Sequence, residues 1–221
     1  MPMRKPMPPF HSPSYAEPSV ARRRLASRRL FLLGLCACMG MVLGACRRAP
    51  ALPTLGDIVE FHLQDQEGRD FSPGKLRGRV WVAAFMFTRC PSICPRITKQ
   101  MHELQLVTQA RKLPVHFVSI SVDPENDTPA VLRKYGEKYG ADFSSWSFVT
   151  GDYSVIRRTS VEGFKLALEG KADAKKEHLG ILHGSHLVLV DGKAKIRGYY
   201  RTSDKESMQQ LLVDAAQLVA D

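Results

Sequence analysis

Eight apolar residues in unbroken succession, Val80-Trp81-Val82-Ala83-Ala84-Phe85-Met86-Phe87, set the strongest limit on how this 221-residue chain folds. A strand with one wet face alternates apolar and polar side chains, whereas a run with no polar position reads as a strand covered on both faces. Such a sheet needs helices as its outer layers, so the chain must alternate strands with helices. Residues 96–113 space Ile97, Met101, Leu104 and Val107 as a helix does, and residues 115–122 read as a second central strand closing on Asp123-Pro124.

Residues 59–63 alternate as a half-buried strand, followed by a polar turn over 65–70. A helix is expected after Pro124, capped by Asp127 or Thr128, with Pro129 in its first turn and Val131, Leu132 and Tyr135 along it. Residues 146–149 predict a short strand, and 153–168 contain another helix. Residues 187–190 and 195–200 flank Asp191-Gly192, a hairpin signal, and 203–219 predict a terminal helix. This order predicts an α/β fold, a thioredoxin-like domain over residues 57–221 with a central mixed sheet flanked by helices.

The net charge of +10 invites a nucleic-acid reading, but most of that charge lies outside the domain. Residues 1–45 hold Arg4, Lys5, Arg22, Arg23, Arg24, Arg28 and Arg29 against the single acid Glu17, which leaves +4 for the rest; no nucleic-acid partner is expected. A Pro-rich stretch without apolar period, a basic run over 22–29 and an apolar stretch over 30–45 follow the order of a secretory signal. That stretch falls short of the roughly twenty residues of a comfortable membrane span, so an uncleaved anchor is the alternative. Leu43-Gly44-Ala45-Cys46 resembles the lipobox of bacterial lipoproteins, which makes Cys46 the lipidated first residue of the mature chain and 46–56 its tether. Ser27-Arg28-Arg29-Leu30-Phe31-Leu32 resembles a twin-arginine export signal, with the general route as the other option. By any of these routes the domain is exported and membrane-anchored. It then faces the periplasm or another oxidising, extracytoplasmic space.

Thr88-Arg89-Cys90-Pro91-Ser92-Ile93-Cys94-Pro95 places two cysteines four apart between a strand and a helix. On one face of a helix or in a tight loop, their Cβ atoms would lie about 5–6 Å apart. That separation suits a disulfide or a shared soft metal ion. The helix N-terminus and Arg89 are both expected to favour the thiolates. The spacing departs from the two-residue interval of thioredoxin-type redox motifs, and two thiols do not close a structural zinc site. Thiolates select Cu(I), and an added imidazole accommodates Cu(II). The imidazoles at hand are His178, His183 and His186, clustered before the hairpin, whereas His62, His102 and His116 read as surface or packing residues.

Residues 57–219 resemble the SCO/SenC family. The resemblance rests on Phe87-Thr88-Arg89-Cys90-Pro91-Ser92-Ile93-Cys94-Pro95, on Val118-Ser119-Ile120-Ser121-Val122-Asp123-Pro124-Glu125-Asn126-Asp127-Thr128-Pro129, and on His183 with Leu187-Val188-Leu189-Val190-Asp191-Gly192. The turn Asp191-Gly192-Lys193 is shorter than in many relatives. The resemblance implies a thioredoxin-fold copper protein that assembles the copper centre of cytochrome c oxidase. It implies one copper ion, Cu(I) or Cu(II), held by Cys90, Cys94 and His183, with His186 as the alternate ligand. The partners it implies are an apo copper-site subunit of a membrane oxidase and an upstream copper donor or thiol reductant. The competing function is a thiol–disulfide reductase in which Cys90 and Cys94 are the catalytic pair, a role that needs no histidine. Further alternatives are a structural Cys90–Cys94 disulfide and a peroxidase, for which no peroxidatic motif is present. The segment from Asp123 to Asp127 reads either as a loop for partner contact or metal tuning, or as helix capping; capping is the expectation for Asp127.

Overall fold

The computed structural model describes residues 50–166 and 186–221, so the apolar stretch over 30–45, Cys46, His178 and His183 lie outside the described residues. Eight strands occur among those described: β1 (Gly56–Asp57), β2 (Leu63–Asp65), β3 (Asp70–Phe71), β4 (Val80–Met86), β5 (Val115–Ser121), β6 (Trp146–Thr150), β7 (His186–Val190) and β8 (Lys195–Arg201). Four α-helices accompany them: α1 (Ile93–Ala110), α2 (Pro129–Lys138), α3 (Tyr153–Arg158) and α4 (Lys205–Ala220). All eight strands join one mixed sheet in the order β1-β8-β7-β4-β5-β6-β2-β3.

The apolar run sits where its composition requires. β4 lies between β5, its parallel neighbour, and β7, its antiparallel neighbour, and every residue of β4 and β5 is buried. The parallel triplet β4-β5-β6 is connected through α1 and α2, and the antiparallel strands complete both edges. Trp81, Phe85 and Phe164 interlock edge to face, with ring centroids 5.8 and 5.2 Å apart.

Two local expectations differ in detail. The alternation over 59–63 is real in burial, with Phe61 and Leu63 inside, but ladder pairing begins only at Leu63. The helix expected within 153–168 is α3, which continues into a π-helical turn over Thr159–Gly163. The hairpin expected at Asp191-Gly192 joins β7 and β8, and its left-handed residue is Ala194, with φ 59°. Gly192 serves a different need, since a Cβ there would fall 2.8 Å from the Gly78 backbone.

The chain ahead of β2 runs along the domain. The Leu55 N–H donates to the Ile196 carbonyl at 2.8 Å, Arg197 donates to the Leu52 carbonyl, and Gln217 Nε2 donates to the Pro50 carbonyl at 2.9 Å. No helix among the described residues is long and apolar enough to cross a membrane.

Candidate functional site

β4 ends at Met86, and Phe87-Thr88-Arg89 carry the chain to Cys90 at the start of the turn into α1. The first N–H groups of a helix lack intrahelical acceptors and need a cap. Ser92, at the N-cap position, supplies no side-chain hydrogen bond. Cys90 Sγ takes that part, accepting from the Cys94 N–H at 3.4 Å. Pro95 fits this first turn because its missing N–H would have had no partner there. Both cysteines are free and buried, Cys94 completely.

Their environments differ, which corrects the expectation that both thiolates are favoured. Burial works to raise the pKa of Cys90. The backbone N–H groups of Cys94, Ser92 and Ile93, together with the Cys94 thiol, outweigh that effect, and the net shift is downward. Cys94 is pushed strongly up by burial, with further upward contributions from Cys90 and from the Asp127 charge; only the Phe87 backbone opposes. Arg89 is also not available to the thiols in the expected way. Its Nε and Nη2 both donate to Asp123 Oδ2, at 3.1 and 2.8 Å, and the carboxylate of Asp123 is buried.

Asp127 does not cap α2. The cap is Thr128, whose hydroxyl accepts from the Val131 N–H, with Pro129 in the first turn as expected. Asp127 is fully buried and accepts three hydrogen bonds: from the Thr88 N–H at 3.0 Å, from the Thr88 hydroxyl and from the Ser121 hydroxyl, the last two at 2.5 Å. Burial raises its pKa, and the three donors counter part of that rise. One carboxylate therefore joins the ends of β4 and β5 to the loop that precedes α2. Below the cysteines, Thr98 donates to the Cys94 carbonyl at 2.9 Å and shares a 3.0 Å hydrogen bond with the Tyr135 hydroxyl. From sequence, Thr88 and Ser121 enter only as members of the family-like motifs and Tyr135 only as a helix residue, with no role at the site assigned to any of them or to Thr98. Polar residues in otherwise apolar elements beside a cysteine motif are the signal that could have marked them.

Of the imidazoles proposed as ligands, His186 is described. It opens β7 opposite Arg201, and burial, then the Arg201 charge, lower its pKa. Among the described residues, no group of three or more His, Cys, Asp or Glu side chains gathers as a metal site. His62 is exposed beside Asp70, and His116 is buried in β5 against Ser147.

The SCO1/SenC family profile matches residues 56–219. A SCO1/SenC family lipoprotein from Bacillus anthracis str. Ames has the same fold with a TM-score of 0.68 and 32% identity, covering 80% of this chain and 100% of its own. BsSco, a member of the Sco family of cytochrome c oxidase assembly proteins in which a disulfide switch was identified, has a TM-score of 0.68 and 29% identity over 78% of this chain and 99% of its own. ScoI from Bradyrhizobium japonicum, in a structure with copper bound, has a TM-score of 0.62 over 74% of this chain and 99% of its own; at 22% identity that likeness concerns the fold alone. The fold and the paired thiols thus define a thioredoxin-like protein with a buried dithiol at the end of its central strand. The chain belongs to the SCO1/SenC family.

Proposed function

We propose that this chain is a membrane-anchored copper chaperone. It would bind one copper ion, as Cu(I) or Cu(II), through Cys90, Cys94 and His183, and deliver it to the copper-site subunit of a respiratory cytochrome oxidase. The juxtaposition of two free thiols across one turn, with a 3.4 Å contact between the Cys90 sulfur and the Cys94 N–H, carries this reading. Soft sulfur donors suit Cu(I), and a single imidazole extends the site to Cu(II). Strand register supports the third ligand. β7 runs antiparallel to β4 with Ala83 opposite Val188, so β7 begins at the end of β4 from which the cysteine loop departs. His183 is three residues ahead of His186, a reach of about 10 Å. His186 itself remains the alternate ligand. Copper bound in a ScoI structure and the assembly role given for BsSco's family add to the case. The anchor is a lipid on Cys46 or an uncleaved apolar segment, in keeping with a family lipoprotein from Bacillus anthracis.

The asymmetry of the thiols favours a second activity at the same site, reduction of a partner disulfide. The Cys90 thiolate attacks one partner sulfur, forming a mixed disulfide and releasing the other sulfur as a thiolate. Cys94 then gives up its proton and attacks Cys90 Sγ, displacing as a thiolate the partner sulfur held in the mixed disulfide and leaving a Cys90–Cys94 disulfide and a reduced partner. An upstream thiol reductant restores the pair.

The test is copper stoichiometry and the visible spectrum of the reduced protein, with His183→Ala and His186→Ala alongside. One equivalent of copper, with a Cu(II) spectrum lost in His183→Ala and kept in His186→Ala, is expected. No copper retained against a micromolar competitor overturns the chaperone reading. Unchanged spectra in both variants, with disulfide turnover intact, leave the reductase.

A further inference from the structure

The end of the domain opposite the cysteines collects both the entering chain and unpaired positive charge. Pro50, Leu52 and Leu55 are held by α4 and β8, as described above, so only Arg47, Arg48 and Ala49 separate the folded domain from Cys46. Four extended residues span about 14 Å. Pro50 is thus within about 14 Å of a lipid on Cys46, or within about 17 Å of an apolar segment ending at Ala45.

A cavity of about 570 Å³ at this end is lined by Thr54, Arg79, Pro114, Gly192, Lys193 and Leu218, among others. The starts of β4 and β5, the β7–β8 turn and the end of α4 therefore meet there. Arg79 and Lys193 line it, and Arg77, Arg111 and Lys112 lie within three residues of its lining residues Gly78 and Pro114; all five are exposed, and none forms an ion pair among the described residues. Asp191 lines it and is engaged by Arg197, and Asp57 is engaged by the lining residue Lys195; Asp221 is the other carboxylate among the described lining residues. Val80, at the near end of β4, lines this cavity, while Met86 leads into the cysteine loop. Seven strand residues place those ends about 20 Å apart.

We propose that this basic end docks on the anionic headgroups of the membrane and holds Cys90 and Cys94 on the far side of the domain, turned away from the bilayer. The proposal rests on the membrane-anchored reading above. Close to the surface, the cations and the phosphates of an anionic lipid lie within a Debye length of one another, and salt screens their attraction. The short tether makes this contact effectively intramolecular.

The test uses the mature, anchored protein in vesicles of phosphatidylcholine alone or mixed with phosphatidylglycerol, followed by backbone hydrogen exchange. Exchange over 76–80, 111–114 and 191–195 is expected to slow by about tenfold in the anionic vesicles only, since few charges near an oppositely charged surface act together. High salt should reverse the protection, and Arg79→Glu and Lys193→Glu should each reduce it. Residues 87–92 should exchange equally in both lipids. Lys193→Glu, at an exposed turn, serves if Arg79→Glu fails to fold. An anchored chain whose exchange is indifferent to lipid charge, or whose protection centres on 87–92, overturns the docking. A chain with no lipid on Cys46 that also fails to sediment with membranes overturns the anchor reading instead.

Discussion

Asp127 accepts hydrogen bonds from both the backbone N–H and the hydroxyl of Thr88, two residues ahead of Cys90. The same carboxylate receives the Ser121 hydroxyl, so it fixes the path of the cysteine loop from beneath. Removing it leaves three donors without this acceptor, the buried Ser121 hydroxyl and the part-buried N–H and hydroxyl of Thr88. Each unpaired buried polar group costs about 1–3 kcal/mol, so Asp127→Ala should lose about 3 kcal/mol of stability in urea unfolding. Asp127→Asn retains one acceptor oxygen and should lose less. A loss below about 0.5 kcal/mol for Asp127→Ala, the range of ordinary surface changes, would contradict this role.

The two cysteines should react in sequence. Cys90, with its pKa lowered by surrounding N–H groups, forms thiolate at lower pH than an ordinary thiol, whereas Cys94 stays protonated. Alkylation of the reduced, metal-free protein followed by mass spectrometry should show Cys90 modified first, with a rate that levels off below the usual thiol pKa. Burial of both sulfurs slows the reaction but does not reverse the order. Preferential labelling of Cys94 would contradict the assignment.

Acid should weaken the fold through His116. Burial, then the Arg79 charge, push its pKa down to about 4 from an ordinary 6.5. The folded state therefore binds fewer protons than the unfolded chain between those values. The stabilisation is complete above pH 6.5 and is lost as pH falls toward 4, with an upper size of about 3 kcal/mol. The urea midpoint of the wild type should drop across this window. His116→Gln, which does not titrate there, should flatten that part of the curve.

Gly136 in α2 packs under two rings. A Cβ at this position would lie 2.7 Å from Phe143 Cε1 and 3.0 Å from Phe148 Cε2. Alanine improves helix propensity by about 1 kcal/mol, but overpacking costs about 1–3 kcal/mol. Gly136→Ala should therefore lower the melting temperature by a few degrees; an increase would mean that the rings relax freely.

The composition of β4 already demanded a sheet covered on both faces, and the spacing of Ile97, Met101 and Leu104 supplied one of the covering helices. All three of those side chains are buried. Strand pairing was less legible. Phe61 is buried as alternation predicts, yet it lies outside the ladder, because side-chain burial and backbone pairing have different partners. The cysteine pair was readable from its motif, but its asymmetry was not. That asymmetry depends on which N–H groups point at each sulfur and on how deeply each is buried.

By itself the sequence determined the alternation of strands and helices, the pair Cys90 and Cys94 at the end of the central strand, and the concentration of charge ahead of residue 46. Local pattern and composition suffice for these, since each depends on residues close together in the chain. Only the tertiary structure decided that Thr128 rather than Asp127 caps α2, that Asp127 turns inward to hold Thr88 and Ser121, and that Arg89 is committed to Asp123. Those pairings join residues from 6 to 39 positions apart. Their energies come from desolvated carboxylates finding donors on other elements, which a one-dimensional pattern does not record.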